Sequence, residues 1–80
     1  MLKVMLFAGL AEAAGSRSVQ FEIGLPVKVS EVKRLFSERY PEAARQAAAS
    51  FAAINQEYAS DEAWIEEGDE VALLPPVSGG

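Results

Sequence analysis

The residues best placed to do chemistry are the last two, Gly79 and Gly80, which come after Pro75-Pro76-Val77-Ser78. A terminal glycine pair carries the α-carboxylate on a thread without side chains and with free choice of φ and ψ, so another protein's narrow channel can admit it. That carboxylate is ionised at neutral pH, with a reference pKa of about 3.3–3.7, and is a poor electrophile until something activates it. Adenylation by a partner would convert it to an acyl phosphate anhydride. The anhydride is open to sulfur, which gives a thiocarboxylate, or to an amine, which gives a covalent tag. Neither route draws on a catalytic side chain of this chain. A Gly-Gly ending alone is weak support, because chain termini are loosely constrained.

The residues before the pair strengthen the reading. Pro75 and Pro76 fix φ and cannot donate ladder hydrogen bonds, so the last strand must stop there and the residues beyond them should be extended. Residues 75–80 then form a tail that is stiff first and thin last. At about 3.3–3.6 Å per residue it reaches roughly 20 Å, enough to enter a neighbour's active site. Gly80 supplies the reacting carbonyl, and Gly79 must be small for the tail to thread. Ser78, Val77, Pro76 and Pro75 position it.

The rest of the chain argues against an independent enzyme. Among its 80 residues there is no cysteine and no histidine, which removes thiol nucleophiles, zinc-type sites and a histidine base together. The adjacent acids Asp61-Glu62 and Glu66-Glu67 read as solvated surface rather than a metal site. No phosphate-cradling glycine loop is present, so any ATP should bind a partner and this chain should hold no cofactor. All seven basic residues lie in the first 45 positions, beside five acids. The last 35 positions carry seven acids and no base, so the segment leading into the tail is strongly negative. That acidity makes nucleic acid a poor ligand, and it reads either as a solvated face kept for solubility or as steering toward an electropositive groove. No stretch is long and apolar enough to span a membrane, and Met1-Leu2-Lys3 opens into a strand pattern rather than a signal peptide. The expected location is the cytoplasm.

Eighty residues suit one domain with one modest core, 1–80. Leu2, Val4 and Leu6 alternate with Lys3, Met5 and Phe7, predicting a strand over 2–8. Ala8 to Ala14 reads as a short helical turn closed by Gly15-Ser16. Val19, Phe21 and Ile23 predict a second strand, antiparallel to the first, that breaks at Gly24-Leu25-Pro26. Ser30 is the expected N-cap of an amphipathic helix in which Val32, Leu35, Phe36 and Tyr40 face inward and Lys33, Arg34, Glu38 and Arg39 outward. Pro41-Glu42 restarts a helical segment through the alanines 47–49. Residues 51–54 and 57–59 flank Asn55-Gln56 as a short hairpin, although Asn-Gln is a weaker turn signal than Asn-Gly. Glu67-Gly68-Asp69 is a turn before a final strand over 70–74. Trp64 and Ile65 read as satellite core.

This order predicts an α+β fold of the β-grasp type, a mixed sheet of about five strands covered on one face by a main helix. Its first and last strands are parallel neighbours at the centre, so the tail leaves mid-sheet. Leu73 and Leu74 must point to opposite faces, and an apolar residue left on the uncovered face marks a binding surface. For Phe7 and Leu74 taken singly, core is the commoner fate of a bulky apolar strand residue.

Three segments resemble the small subunit of molybdopterin synthase. They are Leu2-Lys3-Val4-Met5-Leu6-Phe7-Ala8, Ala53-Ile54-Asn55-Gln56, and Gly68-Asp69-Glu70-Val71-Ala72 with the Leu73-Leu74-Pro75-Pro76-Val77-Ser78-Gly79-Gly80 ending. The resemblance covers the whole chain. It implies a ubiquitin-like sulfur carrier whose Gly80 is adenylated by an E1-like enzyme using ATP and converted to a thiocarboxylate, with sulfur supplied by a sulfurtransferase. The carrier then gives that sulfur to cyclic pyranopterin monophosphate inside the large catalytic subunit. Two transfers build the molybdopterin dithiolene, and the two subunit types form a heterotetramer. The resemblance also places Phe7, Tyr58 and Leu74 on the face that docks both partners, with Tyr58 standing where a smaller aliphatic is common. Two alternatives share the fold and tail: a ubiquitin-like modifier conjugated through Gly80, and a sulfur carrier for thiamine synthesis or tRNA thiolation.

Overall fold

Alternating apolar residues do what period two requires: β1 (Leu2–Leu6) buries Leu2, Val4 and Leu6 and exposes Lys3 and Met5. A computed structural model describes residues 1–76. The expected tail residues Val77, Ser78, Gly79 and Gly80 lie outside the described residues. After β1 come α1 (Gly9–Ala14), β2 (Ser18–Phe21), the two-residue β3 (Val27–Lys28) and α2 (Val29–Arg39). A 3₁₀ turn at Pro41–Ala43 leads into α3 (Ala44–Ala49), with β4 (Phe51–Ile54), β5 (Glu57–Ala59), β6 (Trp64–Ile65) and β7 (Val71–Leu74) completing the order. The main sheet has five strands in the order β2-β1-β7-β4-β5, and β3 pairs separately with β6. β1 and β7 are parallel, and every other pairing is antiparallel. The expected β-grasp topology is therefore the observed one, with β7 at the centre and Pro75 leaving from its end.

One face of the sheet carries the core. Leu2, Val4, Leu6, Val19, Phe21, Ala52, Val71 and Leu73 meet Val29, Val32 and Phe36 of α2, with Leu10, Ala43, Ala47 and Ile65 closing the sides. Ala43 and Ala47 are fully buried small residues, which is how a helical segment with little apolar bulk still packs closely. Gly15 closes α1 in the left-handed conformation, φ 68°. Asn55 and Gln56 both have positive φ, 53° and 70°, so the hairpin turn is of the primed type that matches strand twist.

Three expectations need correction. Ser30 is not the N-cap of α2: the helix begins at Val29, and no side chain caps it. Its first amides are instead satisfied by the 61–63 loop, Val29 N–H donating to the Ala63 carbonyl at 3.0 Å and Ser30 N–H to that of Asp61 at 2.9 Å. Lys33 does not face solvent. It is 8% exposed, and its Nζ donates to the Ser50 carbonyl at 2.6 Å and pairs with Asp61 Oδ1 at 2.7 Å. A lysine stem can lie along apolar surface when its ammonium finds partners, and here the partners are the end of α3 and the loop that caps α2. Trp64 is not satellite core, being 56% exposed with the Lys28 ammonium 5.4 Å from its ring centroid, whereas Ile65 is fully buried. The two residues alternate across a ribbon with only one covered side.

Candidate functional site

The uncovered face of the sheet is where the sequence-predicted residues gather. A single row crosses all five strands there, Ser18 beside Met5, Met5 beside Ala72, Ala72 beside Ala53 and Ala53 beside Tyr58. One step toward the end of β7, Leu74 faces Phe51, and Phe7 comes directly after Leu6, the register partner of Leu73. Phe7 is 43% exposed, Phe51 49% and Tyr58 76%, which places them outside the core. Leu74 is half-buried while Leu73 is fully buried, as opposite faces require. Phe7, Ala53, Gln56, Tyr58, Ala72 and Leu74 line a shallow hollow of about 290 Å³. The structure thus brings Phe7, Tyr58 and Leu74 together.

The face is polarised along the strands. At the tail end it is apolar, with small Ala53 and Ala72 forming a floor between larger side chains. At the other end stand Lys3, Gln20 and Glu70, all exposed. Sequence reasoning missed Met5, Phe51, Ala53 and Ala72 as members of this face. The signal was present in the alternation of Phe51 and Ala53 about buried Ala52, but alternation alone does not say which side the helices cover.

The root of the tail is positioned from both ends of β7. Before the strand, Asn55 N–H donates to the Glu70 carbonyl at 2.7 Å and Glu70 N–H returns to Asn55 Oδ1 at 2.9 Å. Asp69 accepts from Glu66 N–H at 2.8 Å and from Asn55 Nδ2 at 3.0 Å, and these donors hold its carboxyl below the usual carboxylate range. The hairpin turn and the turn before β7 are thereby fastened to each other. After the strand, Pro75 and Pro76 line a groove of about 350 Å³ with Gly9, Leu10, Arg45, Gln46 and Ala49. Gly9 leaves room there for the Gln46 side chain, whose Nε2 would stand 2.8 Å from a Cβ at that position. Among the described residues no cluster of His, Cys, Asp or Glu is arranged to hold a metal. Among them also, no helix is long and apolar enough to cross a membrane.

The described residues thus end in a central strand with an exposed apolar face around it. The sequence profile of the ThiS family matches residues 4–80. The chain belongs to the ThiS family. Among its relatives, the molybdopterin synthase sulfur carrier subunit of Dictyostelium discoideum is 36% identical over 98% of this chain and 94% of that protein. The Escherichia coli protein of the same name is 33% identical over the full length of both. The crystal structure of SAMP1 from Haloferax volcanii superposes with a TM-score of 0.75 at 32% identity, covering 98% of this chain and 97% of that one. The whole-chain resemblance read from the sequence therefore agrees with a family match over residues 4–80.

Proposed function

We propose that this chain is the sulfur carrier subunit of molybdopterin synthase, non-catalytic alone and reactive only through Gly80. The observation that carries the reading is the tail-bearing strand at the centre of the sheet, flanked on its open face by Phe7, Leu74 and Tyr58 and continuing into Pro75-Pro76-Val77-Ser78-Gly79-Gly80. The names of its full-length relatives support it.

In this mechanism the Gly80 carboxylate attacks the α-phosphorus of ATP in the active site of an E1-like enzyme, releasing pyrophosphate and forming the acyl adenylate. The terminal sulfur of a sulfurtransferase persulfide attacks the acyl carbon and displaces AMP, and a second thiol then cleaves the S–S bond, leaving the thiocarboxylate on Gly80 and a disulfide between the two thiols. The carrier then leaves, docks the same face on the large catalytic subunit, and threads its tail to cyclic pyranopterin monophosphate. The thiocarboxylate sulfur bonds to the pterin precursor, and water then cleaves the bond between that sulfur and the Gly80 carbonyl carbon, leaving sulfur on the pterin and Gly80 as a carboxylate. The chain's own part is to hold β7 rigid, present the face and exclude side-chain bulk from the last two positions. The acidic final 35 residues favour partners with electropositive rims. Conjugation to lysines through Gly80 is the second reading, favoured by the likeness to SAMP1.

Deleting Gly80, or adding one residue after it, should abolish dithiolene formation in a reconstituted synthase while leaving Tm almost unchanged. Activity that survives either change removes the C-terminus as the reactive group. Intact mass of the chain from its native cell decides between the readings. Exchange of one oxygen for sulfur supports the carrier, and lysine conjugates without it support the modifier.

A further inference from the structure

Phe51 belongs to no motif, yet it occupies the position on the open face that mirrors Phe7. β1 and β7 run parallel with Leu6 opposite Leu73, which sets Phe7 beside Leu74 on one flank of the tail-bearing strand. β4 runs antiparallel to β7 with Phe51 opposite Leu74, which sets Phe51 on the other flank. Neighbouring strands lie about 4.7–4.9 Å apart, so the two phenylalanines stand about 10 Å apart with β7 between them. Both are close to half exposed. The Phe51 ring is braced edge-on by Tyr58, centroids 5.9 Å apart and planes at 65°, and Tyr58 itself is 76% exposed. Such a cross-strand pair also steadies the hairpin. This one stands on the apolar end of a polarised face, at the point where the chain leaves for its tail.

We infer that Phe51, braced by Tyr58, is a second aromatic anchor of the docking face, so that the partner carries two apolar sockets straddling the mouth of its tail channel. The inference rests on the docking role proposed above and assigns the occupant as the large catalytic subunit. A braced aromatic ring gives large contact area and loses little rotamer freedom when it is covered, which is why such residues dominate interface energetics. Aromatic anchors on opposite flanks of β7, Phe7 on one and Phe51 with Tyr58 on the other, also fix the rotation of the carrier about the strand axis. That rotation decides whether the tail points down the channel. The other exposed aromatic, Trp64, stands apart on the β3–β6 ribbon with Lys28 over its ring and Lys28 bonded to Glu62, and nothing about it relates to the tail.

The test is calorimetric titration of the full-length chain into the large subunit of molybdopterin synthase from the same source, with Tm measured for each variant. Phe51→Ala is expected to weaken binding about tenfold or more, as is Phe7→Ala, with little change in Tm. Tyr58→Ala combined with Phe51→Ala should cost less than the product of the two single losses, because the brace has no purpose once the ring is gone. If Phe51→Ala alters Tm, Phe51→Thr, whose β-branched side chain suits a strand, carries the same measurement. Wild-type affinity in the Phe51 variants alongside weakened Phe7→Ala overturns the second anchor and leaves the docking reading standing. Absence of binding by the unaltered chain overturns the docking reading itself.

Discussion

Leu73 and Leu74 are neighbours of one residue type in one strand, yet the first is fully buried under the helices and the second is half-buried on a face that no element covers. Composition cannot separate them, and period two only says that they differ. What separates them is the single layer of helices, which makes one side of the sheet a folding surface and leaves the other open for the docking proposed above. The same apolar chemistry therefore meets two environments, with Val4, Val71 and Leu73 in the core and Met5, Ala72 and Leu74 on the open face.

The sharpest way to break this comparison is to alter both leucines. Leu73→Ala should destabilise the chain by about 2–5 kcal/mol, the range for a buried leucine, read as a fall in the denaturant midpoint with unchanged slope. Leu74→Asp should do the opposite, leaving the midpoint nearly in place while weakening titration against the large subunit by about thirtyfold or more, the scale of a hot-spot residue. A Leu74→Asp chain that unfolds instead would return that residue to the core and dissolve the distinction between the faces.

The covered side was legible wherever a residue's fate depends on local pattern. The strand alternation in residues 2–6, the Gly15 stop, the Pro41 restart and the Asn55-Gln56 turn all appear close to where periodicity and turn chemistry put them. The readings that failed depend on elements distant in sequence. Ser30 has the right type for a cap, but backbone carbonyls of Asp61 and Ala63 reach the helix end first. Lys33 lies on a helical position that reads as solvent-facing, until Ser50 and Asp61 arrive from beyond α2 to satisfy its ammonium. Trp64 looks like core by size, and only the ribbon's missing second cover leaves it in water. On the open side, Phe7, Tyr58 and Leu74 came from resemblance rather than from physics, and Phe51 emerged only once strand register showed which residues share a face. Val77 to Gly80, to which the proposed chemistry is assigned, are read from sequence alone.

A smaller perturbation sharpens the comparison from the rim of the covered side. Asp61 is half-exposed and Lys33 almost buried, so the pair falls between the surface and the interior regimes. Asp61→Ala leaves the ammonium with the Ser50 carbonyl as its partner and should cost about 1–2 kcal/mol, less at high salt because an exposed partner is screened. Binding to the large subunit should not change, since the pair lies on the helical side, away from the open face. Chemical denaturation at low and high salt, with parallel titrations, checks both statements.

The smallest effect comes from the turn that joins the two strands on the Phe51 side. Gln56 holds φ at 70°, a left-handed conformation that costs an ordinary L-residue, and it also lines the hollow on the open face. Gln56→Gly removes the steric cost and supplies the Asn-Gly pair that primed turns favour, while raising the entropy of the unfolded chain. The two contributions oppose each other, so the net gain should be at most about 1 kcal/mol, seen as a modestly higher Tm. Affinity for the large subunit should stay within about twofold, because near-neutral contacts surround the anchors in most interfaces. Stability and binding would then move independently even at a residue that touches both the hairpin turn and the docking face. A large loss of affinity with unchanged stability would instead make Gln56 a contact in its own right and extend the recognition surface beyond the apolar end of the sheet.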